Sequence, residues 1–74
     1  MSDSETITVK LLDREYQVAC PSDEVDALNA SARELSKRMD EIRSNGKIVG
    51  VDRIAVMAAL NVTHDLIQMQ NDYA

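Results

Sequence analysis

The stretch that most limits how this chain can fold is IAVMAAL, residues 54–60, seven consecutive residues without one polar side chain. A helix lying on the surface of a small monomer needs one apolar stripe, about 100° wide, facing the core. This helix is apolar on every side for two turns. Further along, its residues divide into two adjacent stripes. Ala55, Ala59, Val62, Leu66, Met69 and Tyr73 recur at spacings of 4, 3, 4, 3 and 4, and Val56, Leu60, Thr63 and Ile67 repeat the pattern one residue later. Ile54, Met57 and Ala58 add a third apolar side at the start, while Asn61, His64, Asp65, Gln68 and Asp72 form a polar face beyond it. One stripe can cover the rest of the same chain; the other has no internal partner. Burying a Leu, Ile or Val side chain is worth ~1.5–3 kcal/mol, so a whole exposed stripe forfeits several such contributions. The pattern predicts an obligate oligomer, at least a dimer, with Ile54, Val56, Met57, Leu60 and Ile67 in the subunit interface. The heptads cover fewer than three repeats and meet no Gly or Pro before Ala74, which reads as the start of a coiled coil cut short.

Composition points the same way. The chain has 74 residues and its only aromatics are Tyr16 and Tyr73, so the core must be built from Leu, Ile, Val, Met and Ala. A chain of this size usually gains only ~3–5 kcal/mol from a single core, and disulfides, metal or association make up the difference. Cys20 is the lone cysteine, which excludes an internal disulfide, and one Cys with one His (His64) cannot supply a structural zinc site. Association is the remaining route. Thirteen acidic against eight basic residues give a net charge of -5, which repels phosphate backbones and argues against nucleic acid as a partner. No apolar run approaches the ~20 residues of a membrane span, and MSDSETITVK lacks the layout of a signal peptide, so a cytoplasmic location is expected.

Two segments precede the apolar helix. In TITVKLL, Ile7, Val9 and Leu11 alternate with Thr8 and Lys10, and in EYQVAC, Tyr16, Val18 and Cys20 do the same, the period-two pattern of strands with one buried face. Residues 1–5 are polar and read as frayed. Asp13 and Arg14 between the two runs predict a hairpin with a short polar turn. Two strands alone are barely stable in water and need helices on them or another sheet edge beside them. Pro21 ends the second strand and Ser22 is a suitable N-cap, followed by Asp23, Glu24 and Asp26 at the positive end of a helix dipole. Val25, Leu28, Ala32, Leu35, Met39 and Ile42 then recur at 3, 4, 3, 4 and 3, one amphipathic stripe over roughly 22–44, with Glu34 and Arg38 four apart on the solvated side. Asn45 or Gly46 stands beyond its end. GKIVG is a short link, and Asp52 caps or opens the second helix. The fold class is α+β: a head at 1–50 made of a hairpin, a helix and the link, and the start of a long helix at 51–74.

Chemistry is poorly represented. His64 and Asp65 are helix neighbours pointing about 100° apart, with no nucleophile or second His beside them. Met39, Met57 and Met69 sit on helix stripes as filler. GKIVG lacks the remainder of a phosphate loop. No enzyme activity, cofactor or metal is expected. Basic side chains gather at the connections: Arg14 at the hairpin turn, Arg43 and Lys47 around the link, and Arg53 beside Asp52 at the helix start. On an acidic protein this distribution suits a docking face for an acidic partner.

The hairpin pattern followed by CPSDEVDALNASARELSKRMDEIR and then VDRIAVMAALNVTHDL resembles the ZapA family of bacterial cell-division proteins over residues 6 to about 70. The resemblance implies a non-enzymatic cytoplasmic adaptor that binds the tubulin-like GTPase FtsZ and cross-links its protofilaments at the midcell division ring. It implies dimers formed through the heads and tetramers formed through a coiled coil. It also favours charged head residues as the filament contact, which falls on Arg14, Arg43, Lys47 and Asp52 in this chain. The family's second helix runs much further than this one, which leaves tetramers and bundling open. The alternative is a small regulatory dimerisation module, an antitoxin or transcription-associated protein, for which a hairpin and helix also make a plausible unit. The absence of a basic stripe argues against it.

Overall fold

The computed structural model describes residues 3–47 and 50–73, in the order strand, strand, helix, helix. Strand β1 (Ser4–Leu11) pairs antiparallel with β2 (Arg14–Pro21), in a register that sets Ile7 opposite Val18 and Val9 opposite Tyr16. The alternation predicted from the sequence holds, since directly opposed residues share one face of the ribbon. The other face is polar, and there Gln17 Nε2 donates a 3.0 Å hydrogen bond to Thr8 Oγ1 of its opposed partner. The strands run further than the apolar residues require: β1 begins at Ser4, inside the segment read as frayed, and the Ser22 N–H reaches back to the Asp3 carbonyl at 3.0 Å.

The hairpin turn differs from expectation. Its two loop residues are Leu12 and Asp13, while Arg14 already belongs to β2 opposite Leu11. The turn is therefore not wholly polar. Leu12 adopts a positive φ of 57°, and its side chain is buried. Tight hairpins favour positive φ because that twist matches the strands, and Gly or Asn normally supplies it. Here the burial of a leucine side chain offsets the steric cost.

A 3-10 turn at Ser22–Glu24 leads into helix α1 (Val25–Ser44). No side-chain hydrogen bond caps this entry, so Ser22 does not act as the expected N-cap. The carboxylates of Asp23, Glu24 and Asp26 remain near the positive helix end. All six stripe residues of α1 are at least half-buried, and burial deepens toward the C-terminus, where Met39 is 1% exposed and Ile42 is buried. The helix stops at Asn45, and Gly46 at φ 69° donates its N–H to the Arg43 carbonyl at 3.1 Å, a left-handed exit of the kind glycine provides. In the link that follows, Ile48 and Val49 lie outside the described residues. Helix α2 (Val51–Asp72) starts after Gly50, whose carbonyl accepts the first helical hydrogen bond from the Ile54 N–H at 3.0 Å.

The core is small and sits at one end. Leu12 from the turn, Met39 and Ile42 from α1, and Ile54 and Ala58 from α2 form one buried cluster, with Leu11, Leu35, Val51 and Ala55 packed on its edge. Ile54 is 3% exposed and Ala58 0%. The side of α2 that faces inward is thus the third one, Ile54 and Ala58 a turn apart, and neither of the two long stripes past Ala55. After Ala58 every described residue of α2 is exposed.

Candidate partner-binding surface

Three elements meet where Leu12 enters the core, and this meeting positions the charged residues singled out from the sequence. Because Leu12 is held between α1 and α2, its neighbour Asp13 is carried to the last turn of α1. There the Arg43 guanidinium lies between two carboxylates, 2.9 Å from Asp40 on its own helix and 3.6 Å from Asp13 on the hairpin. Arg14, next in the chain, starts β2 and is exposed. Lys47 is exposed directly after the Gly46 exit, and Asp52 is exposed in the first turn of α2. A Cβ placed on Gly50, which has φ 100°, would lie 3.0 Å from Asp52 Oδ1, so the link passes close to that carboxylate. The hairpin turn and Arg43 are therefore joined by an ion pair, while Lys47 follows the end of α1 and Asp52 stands in the first turn of α2. Among the described residues, Arg14, Lys47 and Asp52 take part in no ion pair.

The surface so formed presents charged groups of both signs. Among the described residues no three His, Cys, Asp or Glu side chains gather as a metal site. None of the described helices is long and apolar enough to cross a membrane. Cys20 is half-buried near the end of β2.

A second surface is apolar. Of the five residues assigned to an interface, Ile54 is enclosed in the chain's own core, because it points at Leu12, Met39 and Ile42 from the inward turn of α2. The other four are outside: Val56 and Leu60 are each 59% exposed, and Met57 and Ile67 are also open. Val62, Leu66 and Met69 add to them from the neighbouring stripe, and Tyr16 on β2 is uncovered as well. α1 lies mainly over β1, leaving the β2 side of the ribbon half-open. Leu12 is the packing anchor of this end of the molecule, and the sequence pattern did not single it out. Its only signal was a second leucine following the last inward position of β1.

The same order of hairpin, helix and helix is matched by a solved structure, and the sequence by a known family. The sequence profile of the family Cell division protein ZapA matches residues 7–74. This chain belongs to the ZapA family of cell-division proteins. A ZapA relative from Pseudomonas aeruginosa is 58% identical over 67 residues, covering 90% of this chain and 64% of its own length. ZapA proteins of Edwardsiella ictaluri and Yersinia enterocolitica are each 30% identical over 74 residues and are covered to 68%. The chain thus spans about two thirds of the length of these ZapA relatives. A solved structure described as an unknown conserved bacterial protein from P. aeruginosa PAO1 superposes with a TM-score of 0.82 at 53% identity, over 92% of this chain and 75% of that one. The ZapA membership supports a division-related role.

Proposed function

We propose that this chain is a non-enzymatic division adaptor that binds FtsZ through its hairpin-turn end and self-associates through the open flank of α2, cross-linking protofilaments at the midcell ring. The observation that carries the reading is the separation of two surfaces: a charged one, fixed around Leu12 and Arg43, and an apolar one along α2. A cross-linker needs both, because weak filament contacts become strong only when one particle carries several.

Surface area supports self-association. The chain exposes 5843 Å², whereas a folded monomer of its mass exposes about 4,500 Å². Its radius of gyration is 14.4 Å, against about 11 Å for a compact domain of this length. The exposed Val56, Leu60, Leu66, Ile67 and Met69 are part of that surface.

Sedimentation of FtsZ with GTP, with and without this protein, tests the proposal directly. Extra polymer in the pellet and bundles by electron microscopy are expected. FtsZ polymer that pellets equally in both cases, with no protein co-sedimenting, overturns it.

A further inference from the structure

The direction in which α2 leaves the head is not settled by its buried face, which ends at Ala58. Beyond that point the described residues of α2 are exposed and give little packing to hold the helix against α1. One polar contact spans the two helices there. Arg38 on α1 donates from Nε to Glu34 Oε2 at 2.9 Å, and one of its Nη atoms forms an ion pair with Asp65 Oδ2 at 2.8 Å. Among the described residues this is the only ion pair joining α1 to α2.

The geometry points to Arg38 as a positioning residue, a strap that fixes the angle between α1 and α2 by holding Asp65. Glu34 stands one turn before Arg38 on the same helix, so it orients the guanidinium before α2 arrives and leaves one edge of the fork aimed across the gap. Both carboxylates raise the Arg38 pKa, the Glu34 bond more than the Asp65 bond. Asp65 lies seven residues past Ala58, about 10 Å further along the helix at the rise of an α-helix. A contact at that lever arm restrains the angle far more than one beside Ala58. Solvent-exposed pairs contribute little to stability. They suffice here because little else opposes splaying. The strap acts whatever partner the head binds, since it lies between two helices of one chain.

Spin labels test it by double electron–electron resonance. They are placed at Arg33→Cys on α1 and Gln70→Cys on α2 in a Cys20→Ser background, with labelled chain diluted into unlabelled chain. Asp65→Asn and Arg38→Met are each expected to lower the close-packed fraction about two- to fivefold relative to splayed forms, the range an exposed ion pair supports. The double variant is expected to go no further than either single one, as two ends of one contact require. Raising salt to roughly 1 M should move the parent toward the Asp65→Asn distribution and leave that variant unchanged. The strap is overturned if both single variants keep the parent distribution, or if their effects add in the double variant. Asp65→Asn is isosteric and exposed, so it leaves folding intact and separates loss of the strap from loss of structure. No FtsZ is present, so failure here says nothing against filament binding.

Discussion

At the scale of single residues, Leu12 is where conformation and burial oppose each other. Its φ of 57° is unfavourable for a side chain with a Cβ, yet the side chain is only 8% exposed among Met39, Ile42, Ile54 and Ala58. Leu12→Ala keeps the unfavourable backbone and loses the burial, so a loss of about 2–4 kcal/mol is expected in urea unfolding. Leu12→Gly also loses the burial but relieves the backbone, and should be less damaging than the alanine by roughly 1 kcal/mol. This order is the reverse of the one found within helices or strands, and equal stabilities would show that the turn carries no strain. Gly50 makes a related point. At φ 100° with Asp52 Oδ1 in the way, Gly50→Ala should lower the melting temperature by several degrees, through a cost of about 1 kcal/mol or more.

At the scale of elements, α1 follows its sequence pattern closely, since a 3-4 spacing admits one inward face and the structure uses it. α2 does not decide in this way. With three apolar sides at its start, periodicity allows any of them to face the head. Ile54 and Ala58 are chosen because Leu12 and Ile42 lie opposite them, a fact of tertiary placement. This is why Ile54 leaves the predicted interface for the core while Val56, Met57, Leu60 and Ile67 remain outside. Leu60→Glu places a charge on that exposed flank without entering the core. It should reduce self-association at least tenfold by analytical ultracentrifugation while helix content by circular dichroism of the remaining fold is retained. Unchanged mass would move the interface elsewhere. The charged end can be tested separately. Arg14→Glu and Lys47→Glu are expected to weaken co-sedimentation with FtsZ several-fold, more at low salt than at high, with the oligomer intact. Identical co-pelleting would remove those residues from the contact.

At the scale of the whole molecule, the chain is flat and open, with extents of 46 × 38 × 14 Å. If a second copy covers the open flank of α2, as proposed above, the melting temperature should rise with protein concentration across the micromolar range. A concentration-independent transition would contradict the self-association proposed from the exposed surface. Cross-linking also requires two charged ends in one particle, so Leu60→Glu should still bind filaments while forming fewer bundles. Loss of binding and bundling together would mean that the two surfaces are not independent.

The sequence by itself determined the elements and the excess of apolar surface, because both follow from local periodicity: period two over Ile7–Leu11 and Tyr16–Cys20, 3-4 spacing over Val25–Ile42, and an apolar run from Ile54 to Leu60 that one small core cannot cover. It also placed Arg14 beside the hairpin turn and Arg43, Lys47 and Asp52 next to the link between the helices. Only the tertiary structure decided that Leu12 and not Arg14 occupies the turn, that Asp13 reaches Arg43, and that Arg38 reaches across to Asp65. These are contacts between residues distant in the chain, and whether two side chains meet depends on how the elements pack, which no spacing along one element records.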